Sequence, residues 1–165
     1  MALLYGTGAR RKPAEATAIF DGACRAEGAK GCVMSALLRE SRATGARDLR
    51  IAVDQYDTAC AKGEPSGCVN RARLRLEGLG TYRDEVTAAK TLDAACAGGV
   101  GIACAHLASM AAKGLGAPAD PGRARAFAER ACAAGFRPSC PAAPTEAFPL
   151  TMAPSQGSRA VVVRP

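Results

Sequence analysis

Small apolar residues return along this chain at a fixed interval of 36, separated by polar stretches with helical spacing. Ala16, Ala52, Ala88 and Ala124 form one column, Ala23, Ala59, Ala95 and Ala131 a second, and Ala36, Ala72 and Ala108 a third. Asp48, Asp84 and Asp120 precede helix-patterned runs and read as N-caps. Paired glycines (Gly6 and Gly8, Gly78 and Gly80, Gly114 and Gly116) let the chain reverse just before them, and Gly63, Gly99 and Gly135 read as left-handed helix stops. One unit is therefore two helices. The pattern predicts B helices over roughly 14–26, 48–61, 84–97 and 120–133, and A helices over about 30–41, 66–77 and 102–113. A fourth A helix should start near Ser139, but Pro141 and Pro144 cut it off.

The cysteines follow the same interval. They stand at 24, 32, 60, 68, 96, 104, 132 and 140, as four pairs each eight residues apart. In a continuous helix such a pair would lie ~12 Å apart, and a disulfide needs less than about 7 Å between Cα atoms. A turn must separate the two cysteines, and Gly28 and Gly31, then Gly63, Pro65 and Gly67, supply the residues for one. The expected bridges are Cys24–Cys32, Cys60–Cys68, Cys96–Cys104 and Cys132–Cys140, each tying the end of a B helix to the start of an A helix. Zinc is the competing use of cysteine, but its structural sites favour closer spacing and added histidine. His106 is the sole histidine.

A period of this length marks an all-α helical solenoid of helix-turn-helix units. The repeat covers residues 1–140, beginning with a partial unit at 1–12, and residues 141–165 form a Pro-rich, aperiodic tail expected to be flexible. The chain is 48% hydrophobic but only 4% aromatic and lacks Trp. That composition suits thin layers of closely packed helices. Its net charge of +7 includes Arg10–Arg11–Lys12 and Arg71, Arg73 and Arg75. Tyr5, Tyr56 and Tyr82 do not interleave with them, which argues against nucleic-acid binding. No apolar run reaches membrane-spanning length. Paired cysteines imply an oxidising compartment, periplasmic or extracellular, whereas MALLYGTGARRK is no signal peptide. Because residues 2–8 match the end of an A helix and its glycine loop, the natural protein is expected to extend upstream.

Cys68, Ala72, Leu74, Gly78, Gly80, Asp84, Ala88, Leu92, Ala95, Cys96 and Gly99 stand in register with a known unit. On these residues the chain resembles the TPR-like Sel-one-like repeat family, specifically its cysteine-rich Hcp branch. The resemblance implies a right-handed α/α superhelix whose concave groove holds a protein or peptide, with no cofactor. It departs from the family pattern at Arg42 and Thr44, which replace the paired glycines. Ser35 and Arg71 stand where Leu is usual, and Arg39, Arg75 and Ala111 hold the Tyr positions. The superhelix is therefore expected to be irregular near 40–48.

Some Hcp relatives carry a penicillin-binding or β-lactamase label, so a hydrolase is the rival reading. The chain has no Ser-x-x-Lys, and Thr87 with Lys90 offers only the spacing, inside a packed helix. The scaffold reading has a surface to point to. Positions 30, 34, 37 and 41 share one A-helix face, and they hold Lys30, Met34, Leu37 and Ser41, then Ser66, Asn70, Arg73 and Glu77, then Ile102, His106, Ser109 and Lys113. The framework columns repeat while this stripe varies. Met34, Leu37, Asn70, Arg73, His106 and Ser109 are the candidate groove residues.

Overall fold

A computed structural model describes residues 13–141 of the chain. The partial unit at 1–12 and the tail beyond Pro141 lie outside the described residues. Seven helices follow in order: α1 Pro13–Arg25, α2 Ala29–Ser41, α3 Ala46–Ala61, α4 Pro65–Glu77, α5 Glu85–Ala97, α6 Gly101–Lys113 and α7 Pro121–Ala133. Each packs on the next, α4 also touches α2 and α6, and the described residues contain no strand. The expected fourth A helix is a 3-10 turn, Arg137–Ser139. Pro138 at its start and the extended Cys140 let it go no further.

Four disulfides join Cys24 to Cys32, Cys60 to Cys68, Cys96 to Cys104 and Cys132 to Cys140, with Cα atoms 4.4–4.8 Å apart. Each closes the B-to-A turn. Gly63, Gly99 and Gly135 stand at φ 79°, 85° and 85° in these turns. In the first unit Glu27 occupies the same place at φ 66° and bears the strain that a side chain meets there.

Small residues set the helix approach. Ala36, Ala52, Ala88 and Ala72 are buried, and a methyl group added to Gly67 would lie 2.7 Å from the Ala59 methyl. One apolar cluster gathers Val33, Ala36, Val53, Tyr56 and Leu74. A larger one gathers Val69, Ala72, Leu92, Leu107 and Met110. Helix α4 divides them, facing one way with Leu74 and the other with Val69 and Ala72.

Near 40–48 the local structure departs from that of the other units. Gly78 and Gly114 cap α4 and α6 in the left-handed region, and a methyl on Gly80 would lie 2.4 Å from the Leu49 backbone. Arg42 caps α2 at φ −123° instead. The chain then re-enters helix early, so α3 runs to 16 residues where α5 and α7 have 13. This corrects the capping role read for Asp48. Asp84 and Asp120 accept from the backbone N–H of Thr87 and Arg123 as N-caps. Asp48 lies inside the first turn of α3, whose N-cap is Gly45, and accepts from the Thr44 N–H (3.1 Å) and hydroxyl (3.3 Å).

Candidate binding face on the A helices

The three described A helices, α2, α4 and α6, contribute the variable stripe. On α2, Met34 is half-buried and Leu37 exposed at 39%. On α6, His106 is half-buried and Ser109 exposed one turn later. On α4, Asn70 turns onto its own helix, its amide donating to the Ser66 carbonyl (3.0 Å). That hydrogen bond leaves Asn70 fewer donors for a partner than its type suggests.

Arg73 is the best-anchored member. Its guanidinium donates to Glu40 of α2 (2.5 Å) and to Glu77 of its own helix (3.1 Å). Glu40 in turn accepts from the hydroxyl of the fully buried Tyr56 (3.0 Å). Burial works against the Arg73 charge, but Glu40 and Glu77 outweigh it and raise its pKa. Burial, and secondarily the charge of Glu40, pushes the Tyr56 phenol up, so it stays a donor. His106 feels the same cluster. Burial lowers its pKa first and the nearby Arg73 charge adds to this, with Glu77 partly opposing. The stripe thus carries a fixed Arg–Glu pair, a neutral imidazole and the apolar Met34 and Leu37.

Glu40 and Tyr56 were not candidates from sequence. Neither recurs in its column, where Leu76 and Leu92 follow them, so the period gave no sign of the bond between them. The Thr87 backbone N–H donates to the Asp84 cap and its carbonyl accepts from the Thr91 hydroxyl, and Lys90 is exposed. Among the described residues no group of three His, Cys, Asp or Glu side chains is placed to hold a metal ion, and no helix is long and apolar enough to cross a membrane.

Clefts of about 470, 460 and 650 Å³ open elsewhere, none lined by the stripe. The first lies between α1, α2 and Thr44, the second beside the Cys60–Cys68 bridge, and the third beside Arg50, Arg75 and Tyr82.

No family model matches the sequence, and no curated protein matches it. Solved structures do. A Sel1 repeat protein from Oxalobacter formigenes superposes with a TM-score of 0.72 at 19% identity, over 84% of this chain. This chain has the Sel1-like repeat fold. It spans 56% of that protein's length. The Helicobacter pylori cysteine-rich protein B matches with a TM-score of 0.58 at 21% identity, over 79% of this chain and 93% of its own. A Sel1-like, Hcp-type, TPR-like solenoid closed by disulfides is therefore the architecture. The four bridges and the cysteine-rich neighbour are consistent with an extracytoplasmic protein.

Proposed function

We propose that the chain is a non-enzymatic scaffold that holds an extended protein or peptide segment along the A-helix stripe. The observation that carries this reading is the stripe itself: framework columns repeat from unit to unit, whereas the residues facing out from α2, α4 and α6 do not. Repeat proteins place specificity on such a face. Arg73, held by two carboxylates, offers its remaining N–H groups to backbone carbonyls, and Leu37 and Met34 offer apolar contact. The compartment we infer is periplasmic or extracellular, where four disulfides persist.

A displayed random-peptide library selected on the oxidised chain tests the reading. Selected peptides should lose at least tenfold in affinity to a Leu37→Asp, Ser109→Glu double variant, since both side chains are exposed and their replacement leaves the fold intact. Selected peptides that bind this variant as well as the parent chain would rule the stripe out.

A further inference from the structure

The turn-side space between successive units recurs every 36 residues, and the chain fills it differently each time. In the first unit Gln55 donates to Asp21 and Ser35 (2.8 and 2.9 Å), and the Lys62 ammonium reaches across to the Cys24 carbonyl (3.4 Å). In the third, Phe136 packs from the turn on the buried cluster that contains Cys104, Leu107 and Ala131, and Phe127 packs on the same cluster beside the Leu115–Pro118 loop. The middle unit has Thr91 in the place of Gln55 and Phe127, Gly98 in the place of Lys62, and Val100 in the place of Phe136. These three residues are too small to close the space. It stands open as the cleft of about 460 Å³, walled by the Cys60–Cys68 bridge, Arg71 and Ala95.

We propose that this cleft receives an aromatic side chain from a protein partner, seated where Phe136 sits one unit later. The chain's own third unit shows which chemistry completes this backbone. Phe127 there lies against two guanidinium groups, Arg123 at 6.0 Å and Arg130 at 5.6 Å from the ring centre. In the middle cleft Arg71 supplies the cation. It is held in place by Asp57 (2.6 Å) and Thr91 (3.4 Å), so a ring entering beside it gains cation–π attraction at little cost in side-chain order. Aliphatic groups gain burial alone. An aromatic anchor entering a lined pocket is also the usual centre of a protein interface. No cleft residue belongs to the A-helix stripe, so this site stands or falls independently of the peptide groove.

The test uses the oxidised chain and blocked amino acids as probes, followed by amide NMR. N-acetyl-tryptophanamide and N-acetyl-phenylalaninamide should produce saturable shifts at the Gly63, Gly98 and Val100 amides, at least fivefold tighter than N-acetyl-leucinamide. Val100→Phe, which imports the third unit's residue, should weaken this at least tenfold. Gly98→Lys, which imports the first unit's residue, should do the same, and it fits: its Cβ would meet only the Ala95 and Ala94 carbonyls, at 3.4 and 3.6 Å. Asn70→Ala should change nothing. The proposal is overturned by the absence of saturable shifts, by equal binding of the leucine probe, by shifts confined to the stripe, or by binding that survives in both filled variants with their native spectra intact.

Discussion

Between α1, α2 and α3 the chain places Asp21, Ser35, Arg39 and Gln55; two units later the same positions hold Asp93, Leu107, Ala111 and Phe127. The backbone is shared and the chemistry is reversed. In the first contact Asp21 accepts from the buried Ser35 hydroxyl, from Arg39 (2.5 Å) and from Gln55 (2.8 Å). In the third, Leu107 belongs to the larger buried apolar cluster and Phe127 packs against that cluster. The middle contact is intermediate, with Asp57, Arg71 and Thr91 bonded in the same columns. A solenoid backbone evidently asks only that each column be filled. The filling decides how the contact behaves. Directed bonds fix the register of three helices, but buried polar atoms must all be satisfied. Here Arg39 Nε, Gln55 Oε1 and Arg71 Nε are buried without a partner. The apolar end has no such debt, and the N-terminal half should be the weaker one.

Removing the bridges should expose that difference most strongly. Each closes a short loop and contributes about 2.5 kcal/mol in the chain-entropy model, so all four approach roughly 10 kcal/mol, the scale of a whole domain's stability. Reduction with dithiothreitol should therefore unfold the array, beginning with α1–α3. Hydrogen exchange read by mass spectrometry checks the order. Opening that starts in α6–α7 would break the comparison.

Next in size is the loss of Asp21. Asp21→Ala should cost about 2 kcal/mol, because Arg39 and the buried Ser35 lose their acceptor together. Transplanting the third unit's solution, Ser35→Leu with Arg39→Ala and Gln55→Phe, should instead leave the urea midpoint equal to or above the parent value. A transplant less stable than Asp21→Ala would show that the two fillings are not interchangeable. Acid gives the same contact a signature. Burial works against the Asp21 charge, but Ser35, Gln55 and Arg39 prevail and lower its pKa. Its contribution is therefore present above the unfolded carboxylate value of about 3.9 and fades as pH falls through the lower folded value.

How much of this could be read from sequence follows the same division. Cysteine spacing, the Asp84 and Asp120 caps and the glycine stops each recur in several units, so each unit repeats the evidence and the helices emerge within two residues of their ends. At Asp48 the replacement of the paired glycines by Arg42 and Thr44 is legible as a departure, but its consequence, an early start of α3 that leaves Asp48 inside the first turn, is not. The Glu40–Tyr56–Arg73 chain links residues 16 and 33 apart on three helices, and no second copy of it exists to reveal the pairing. Ser35 and Arg71 could be recognised as departures from Leu, but their partners could not.

A smaller effect tests one point where the first unit lacks the others' solution. Glu27 stands at φ 66° where its counterparts are Gly63, Gly99 and Gly135. Glu27→Gly should stabilise the chain by about 0.5–1 kcal/mol, the relief of left-handed strain less the added freedom of the unfolded chain. Gly99→Ala should lose about 1 kcal/mol for the converse reason. Equal midpoints for Glu27→Gly and the parent in urea would mean that strain at this turn contributes nothing to the first unit's weakness.

The smallest effect sits where the two halves meet. His106, on the apolar side, faces Arg73 and Glu77 of α4, with Glu40 of α2 and Tyr56 of α3 behind them. Burial first, then the Arg73 charge, holds its pKa below the usual imidazole value. An unfolded imidazole takes up its proton near pH 6.5, while the folded one resists to lower pH. Between those points the unfolded chain binds more protons, so stability should be full above about pH 6.5 and decline as pH falls through the folded value. This decline begins at higher pH than that of Asp21, because the unfolded imidazole titrates near pH 6.5 and the unfolded carboxylate near 3.9. Urea midpoints measured at pH 8 and pH 5 should differ for the parent chain and converge for His106→Gln. A His106→Gln chain that keeps the full parental decline would place the titrating group elsewhere and remove His106 from the junction's charge balance.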